Sequence, residues 1–423
     1  MISEFTKEDW SVIYRAAKDE FSTYCNRCLD LDMSRGKPSS LQLDVTEGLL
    51  KALQTNEDCY GEDGTDYRNY GILDGIPEAR RLFADIFEVP AKNVVVGGNS
   101  SLNMMYDTIV TAMLFGVPGS VRPWCREDKV RWLCPAPGYD RHFAICESLG
   151  IEMIPIEMTP DGPDMDKIEA LCAEHNCIKG MWCVPKYSNP EGKTYSDETV
   201  RRLAAMKAAP DFRIYWDNAY IVHDLGDESD KLLNLFDECV KAGNPNRIMT
   251  FTSTSKISFP GAGVAAMATS SANIKALNAV KTYQTIGPDK LNQLRHVRYF
   301  KNKQGILEHM KKHAEHLRPQ FEVALEEMNK QLKPDGYAQW TVPNGGYFLS
   351  VDLAHASAKR VEELMKQAGV KITPAGASFP YHHDPKDCNL RIAPTYPPKE
   401  ELKTCIELLC ICIKLATAEN FLK

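Results

Sequence analysis

Between residues 93 and 268 short apolar runs alternate with stretches of helical periodicity, and polar or glycine-bearing clusters follow several of the runs. No other feature constrains the fold as much. The strand candidates are 93–96, 131–134, 152–156, 179–184, 213–216, 247–252 and 263–268. Helical patterns fill 101–115, 138–149, 164–176 and 196–208. Strands that alternate with helices pair mainly in parallel, because the helix returns the chain to the starting edge. The expectation is an α/β fold with a mostly parallel seven-stranded sheet flanked by helices.

The pattern changes after about residue 285. Residues 289–331 read as charged helix. Short strands follow at 339–342 and 347–351, on either side of Asn344-Gly345-Gly346. A helix at 358–368, strands at 369–373 and 389–393, and a helix at 398–417 complete the chain. This reads as a smaller α+β unit that could recruit the N-terminal helix at 5–30. The expected division is a large unit at 45–295, with 1–44 and 296–423 forming the small one.

Composition excludes several classes. With 43% hydrophobic and 25% charged residues over 423 positions, the chain is neither disordered nor fibrous. No run of about 18 apolar residues offers a membrane span, and MISEFTKEDW does not read as a secretion signal. A net charge of −7 argues against a large nucleic-acid footprint. The expected location is cytoplasmic. The 14 cysteines are diluted and sit in apolar patterns, so they read as reduced packing residues. Cys25 and Cys28 lack a second ligand pair, and His382, His383 and Cys388 read as part of a turn. No metal site is expected.

Four clusters stand in order behind strand candidates: Gly97-Gly98-Asn99-Ser100-Ser101, Asn189-Pro190-Glu191-Gly192, Asp217-Asn218-Ala219-Tyr220, and Ser253-Thr254-Ser255-Lys256. The carboxyl edge of an open α/β sheet is where ligands bind. A lysine there can be a solvated strand cap. It can equally have its pKa lowered by burial and form a Schiff base with a carbonyl cofactor. Asp217 ends an apolar strand, and a buried carboxylate there wants a cationic partner, such as a protonated pyridine nitrogen. Tyr220 lies three residues on, where its phenol could reach the ring oxygen of such a cofactor. The glycine pair and hydroxyls at 97–101 open a helix. They suit a phosphate, or an ordinary capped turn.

In this order the motifs resemble those of fold-type I, pyridoxal-phosphate-dependent aminotransferases of the aspartate aminotransferase superfamily. The resemblance runs from about Asp32 to Pro397 and also takes in Tyr70 with Gly75, Pro137-Gly138-Tyr139, Gly345-Gly346-Tyr347-Phe348 and Arg391-Ile392-Ala393. Ser-Lys-Ile-Ser-Phe-Pro-Gly-Ala-Gly (255–263) and Gly-Gly-Asn-Ser-Ser-Leu (97–102) look most like the divergent bacterial, type Ic, aspartate aminotransferases.

The resemblance implies pyridoxal 5'-phosphate as cofactor, bound by Lys256 as a Schiff base. Asp217 would hold the pyridinium, and Tyr220 and Asn189 the ring oxygen. Tyr139 would stack on the ring. Asn99, Ser100, Ser101, Ser253 and Ser255 would hold the phosphate. Tyr70 would reach the cofactor of a second subunit, which implies a homodimer. Arg391 would clamp the substrate α-carboxylate, beside the backbone of Gly36 and near Asn189. One departure stands out: the arginine that many relatives carry about eight residues after the lysine is absent from 259–264. A dicarboxylate needs a further cation, for which Arg35, Lys37, Lys290 and Arg295 are candidates. The implied reaction is ping-pong transamination, with L-aspartate and 2-oxoglutarate as the first pair. An aminotransferase for alanine or aromatic substrates, a β-lyase, and a regulator fused to this fold are the competing expectations.

Overall fold

The computed structural model describes residues 2–423. Its thirteen strands are β1 Leu31–Asp32, β2 Val94–Val96, β3 Arg131–Ala136, β4 Glu152–Thr159, β5 Gly162–Pro163, β6 Ile178–Cys183, β7 Arg213–Asp217, β8 Ile248–Ser253, β9 Ala265–Thr269, β10 Ala338–Trp340, β11 Leu349–Leu353, β12 Val370–Lys371 and β13 Asn389–Ile392. The main sheet has the order β2-β9-β8-β7-β6-β3-β4-β5. Its seven longer strands are those expected from sequence. The eighth, β5, adds only Gly162 and Pro163 at the edge, antiparallel to β4. β4, β3, β6, β7 and β8 pair in parallel, and β9 lies antiparallel between β8 and β2.

Every residue of β6, β7, β8 and β9 is buried. That is the mark of strands covered on both faces, and it explains why they read as continuous apolar runs rather than alternating ones. Within β7, Ile214 and Trp216 enter one core while Tyr215 enters the core on the opposite face. Helices at Ser101–Phe115, Asp140–Ser148, Met165–Glu174 and Asp197–Ala205 correspond to the four expected. Ser271–Gln284 and Leu235–Lys241 are additional helices between strands.

The helical stretch expected at 289–331 is two helices, Lys290–Phe300 and Lys303–Gln331. Lys301 takes φ +66°, which stops the first. The side chain of Asn302 caps the second by accepting from the Gly305 N–H at 2.9 Å. β10, β11 and β13 form a separate antiparallel sheet. The long helix, the terminal helix Lys399–Leu422 and the N-terminal helix Lys7–Cys25 share its core. Trp10 stacks on Phe421 at 4.5 Å, and β1 pairs with β12.

All fourteen cysteines are unpaired. Cys405, Cys410 and Cys412 lie buried in the terminal helix, and burial pushes the Cys410 thiol up to about 12. Among the described residues no helix is long and apolar enough to cross a membrane.

Candidate active site

The carboxyl ends of β2, β7 and β8 open on one edge of the main sheet, since β2 and β8 both run antiparallel to the β9 between them. Backbone bonds fix the loops there. Gly97 N–H donates to the Ala265 carbonyl at 2.8 Å, Ala265 N–H to the Gly98 carbonyl at 2.7 Å, and Thr254 N–H to the Val264 carbonyl at 2.8 Å. The phosphate-type turn and the lysine turn are thus held side by side through β9.

Asp217 ends β7 and is 4% exposed. One carboxylate oxygen, Oδ2, lies 3.0 Å from Nε2 of His142, whose ring stacks on Trp182 at 4.3 Å. The other, Oδ1, is buried without a partner. Leaving a carboxylate oxygen buried and unpaired costs free energy on the order of 1–3 kcal/mol or more, so this atom is suited to a cationic N–H.

Lys256 closes the short turn Thr254–Lys256 after β8. Its Nζ stands 5.2 Å from the ring centre of Tyr220 and 5.8 Å from that of Tyr347. Burial lowers the pKa of its ammonium, with the charge of Asp217 opposing that shift. Burial also drives the Tyr220 phenol well above its ordinary value and keeps the buried His223 imidazole neutral. The Tyr139 phenol is pushed up to about 12, first by burial and then by Asp217 and Asp140. Tyr139 lies edge-on to His142, with ring centres 5.0 Å apart. Asn189 is 4% exposed, and its side-chain oxygen is also buried without a partner.

Ser100 caps the fifteen-residue helix Ser101–Phe115, accepting from the Asn103 N–H at 3.4 Å. Ser255 Oγ donates to the Asn99 carbonyl at 3.3 Å, and Ser253 Oγ to Ser255 Oγ at 3.0 Å. A helix N-terminus ringed by hydroxyls suits an anion. Eight residues after Lys256 stands Val264, 1% exposed in an apolar core, so no cation can reach the turn from that position.

Arg391, in β13, is 8% exposed. Its Nη1 donates to Asp140 at 2.7 Å and its Nε to Thr373 at 3.3 Å, while its guanidinium lies 5.2 Å from the ring centre of Phe348. Among the described residues its hydrogen bonds come from Nη1 and Nε, not from Nη2. The expected carboxylate clamp is therefore part-occupied by an internal carboxylate. Gly36 packs against the same Phe348 ring: a Cβ there would lie 2.6 Å from Cζ.

Not every expected residue gathers at Lys256. Tyr70 is 82% exposed and lines a different cavity with Arg68 and Lys290. Lys290 is buried. Arg35 and Lys37 are exposed, with Lys37 Nζ 3.9 Å over the Tyr396 ring, and Arg295 lines a further cavity with Leu291. Sequence reasoning missed His142, Trp182, Asp140 and the role of Tyr347. His142 lies in the first turn of the helix Asp140–Ser148, three residues past Tyr139 at its N-cap, and the two rings meet edge-on.

The chain matches the family model described as aspartate amino-transferase over residues 5–423. It is 47% identical to an aspartate aminotransferase of Corynebacterium glutamicum, with 99% of this chain and 97% of that protein covered. It is 48% identical to a putative aminotransferase of Mycolicibacterium smegmatis, covering 93% and 92%. The crystal structure of a Corynebacterium glutamicum aspartate transaminase superposes with a TM-score of 0.96 at 47% identity, covering 99% of each chain.

Proposed function

The chain belongs to the aspartate aminotransferase family and is an aminotransferase; from this premise we propose that it binds pyridoxal 5'-phosphate and exchanges amino groups between L-aspartate and 2-oxoglutarate by a ping-pong route, as a homodimer. The observation that carries the reading is the buried Oδ1 of Asp217, which has no protein partner. A protonated pyridine N–H would satisfy it. We take 45–295 as the cofactor-binding unit, with 1–44 and 296–423 as the second unit. The unpaired cysteines fit a reducing cytoplasm.

The site residues fit this cofactor in each of its parts. When bound, the cofactor supplies an electron sink for the charge left at the substrate α-carbon. Asp217 would hold its ring nitrogen through Oδ1, while His142 fixes Oδ2 and so the carboxylate plane. Tyr220 would donate to the ring oxygen, as would Asn189 with its amide turned to present Nδ2. Tyr139 would cover one ring face. Asn99, Ser100, Ser101, Ser253 and Ser255 would hold the phosphate, with the helix N-terminus in place of the missing arginine. Tyr70, exposed on its own subunit, would serve the second active site of the dimer.

Lys256 would link to the cofactor and, once displaced by substrate, act as the base. Burial favours its neutral amine, whose Nζ would take the proton from the substrate α-carbon. Arg391 would bind the α-carboxylate with Nη2 and the end of the fork shared with Asp140. The backbone of Gly36 would close over that carboxylate. Both half-reactions use one pocket, so each 2-oxo acid must meet the same arginine.

The test is an amino-acid panel followed by the loss of cofactor absorbance, with and without 2-oxo acid. Aspartate should bleach the chromophore, and 2-oxoglutarate should restore it with glutamate as product. Inert aspartate would overturn the substrate assignment. Ammonia release without an oxo acid would mark a lyase instead.

A further inference from the structure

Behind Lys256 lies a cluster of buried polar side chains that the reaction above does not use. Gln42 is 0% exposed and belongs to the short helix Ser40–Asp44. Its Oε1 accepts from the Ser39 N–H at 3.1 Å. That bond fixes the amide orientation, so Nε2 faces inward. Nε2 donates to the Tyr347 phenol oxygen at 2.8 Å and contacts His313 Nδ1 at 3.2 Å. His313 Nε2 meets His309 Nε2 at 3.0 Å, and His309 Nε2 lies 2.8 Å from the carbonyl of Ile257. These contacts lie between Tyr347, whose ring faces Lys256, and the residue following Lys256, but they do not form one donor chain: His309 Nε2 can accept from His313 or donate to Ile257, not both. Thr46 adds a contact to His309 at 3.3 Å.

All these members are buried, and unpaired polar groups here would be costly. Both histidines are held neutral by burial, His313 down to about 3. Tyr347 is itself seated by Gly346, which takes φ +87° and whose N–H donates to the His223 carbonyl at 2.9 Å. Because the phenol oxygen accepts from Gln42, its own O–H is left as a donor without a protein acceptor.

We propose that Gln42 is a positioning residue for Lys256: by donating to the Tyr347 phenol oxygen it fixes the ring whose centre lies 5.8 Å from Lys256 Nζ. The segment 39–46 is then part of the active-site machinery although it touches no reacting atom. This inference rests on the reading of Lys256 as the cofactor lysine.

The experiment is a pH titration of the lysine–cofactor chromophore in the holoenzyme, with steady-state kinetics alongside. Gln42→Glu keeps the shape but presents an acceptor, so it captures the phenol proton. Tyr347→Phe removes one oxygen. Each variant should move the chromophore titration by about one pH unit, lower kcat about tenfold and leave KM within about twofold, and the double variant should add little to either single one. Independent, additive effects, or a titration unmoved in both, would overturn the proposal. Should Gln42→Glu fail to fold, Tyr347→Phe alone must still shift the titration. Borohydride labelling separates the two levels of the argument. A label on another lysine removes the reading of Lys256, whereas a label on Lys256 with an unmoved titration removes only the role of Gln42.

Discussion

Asp217 gives one carboxylate oxygen to His142 at 3.0 Å and keeps the other buried and unpaired. The pair fixes the carboxylate and leaves Oδ1 as an unpaired acceptor, which is the arrangement a cationic ring nitrogen would require. Asp217→Asn should therefore retain cofactor yet lose turnover by at least about a hundredfold, since breaking a buried charge pair costs roughly 3–5 kcal/mol. His142→Leu should fall between this variant and wild type. Cofactor retained after dialysis and single-turnover rates check both. Normal turnover in Asp217→Asn would remove it from the mechanism.

A second prediction concerns Lys256 without cofactor. Its folded pKa is lowered from the ordinary 10.5 by burial. The folded state then binds a proton less readily than the unfolded state. The penalty is full below the folded pKa, shrinks as pH rises toward 10.5, and is absent above it. Lys256→Met should thus raise the melting temperature of the cofactor-free protein at about pH 7, with the gap narrowing near about pH 10. Paired melting curves decide it, and a constant or reversed gap would contradict the buried ammonium.

Much of the site was legible because its residues follow strands. A strand that is apolar along its length and then meets Asp217 or Lys256 announces an edge, and the order of four such edges carries the family resemblance. What was hidden depends on contacts between distant segments. Nothing local to Asp140 tells that it meets Arg391, 251 positions away. Gln42 reads as a helix residue until Tyr347 and His313 surround it. The break at Lys301 and Asn302 escaped for another reason: neither glycine nor proline marks it, and only a positive φ and a side-chain cap end the helix.

Arg391→Lys keeps the charge and loses the fork. The lysine can serve either Asp140 or substrate, not both. One charge-assisted bond in a closed site is worth about 1.5–3 kcal/mol, so kcat/KM should fall about tenfold to over a hundredfold. The loss should appear for every amino acid and oxo acid, because all share the α-carboxylate. A loss confined to aspartate would mean that Arg391 reads the side chain.

Gly36→Ala tests how closely the N-terminal segment closes on that arginine. The new Cβ would stand 2.6 Å from Cζ and 2.9 Å from Cε1 of Phe348, inside any normal contact. Phe348 is 6% exposed and cannot swing into solvent, and the Arg391 guanidinium lies over its ring. The push is therefore passed to the arginine. Overpacking of this kind costs about 1–3 kcal/mol. KM for both amino acid and oxo acid should rise roughly tenfold, with kcat less affected. Gly36 lacks a positive φ, so the backbone itself tolerates alanine. Without the clash, Gly→Ala would stabilise by about 0.4–1 kcal/mol through the unfolded chain. The sign of the melting shift is thus diagnostic: a fall means that the ring contact dominates. Adding Phe348→Leu should restore KM in part by making room. A raised melting temperature with unchanged KM would show that Phe348 yields freely and that Gly36 has no part in seating the carboxylate.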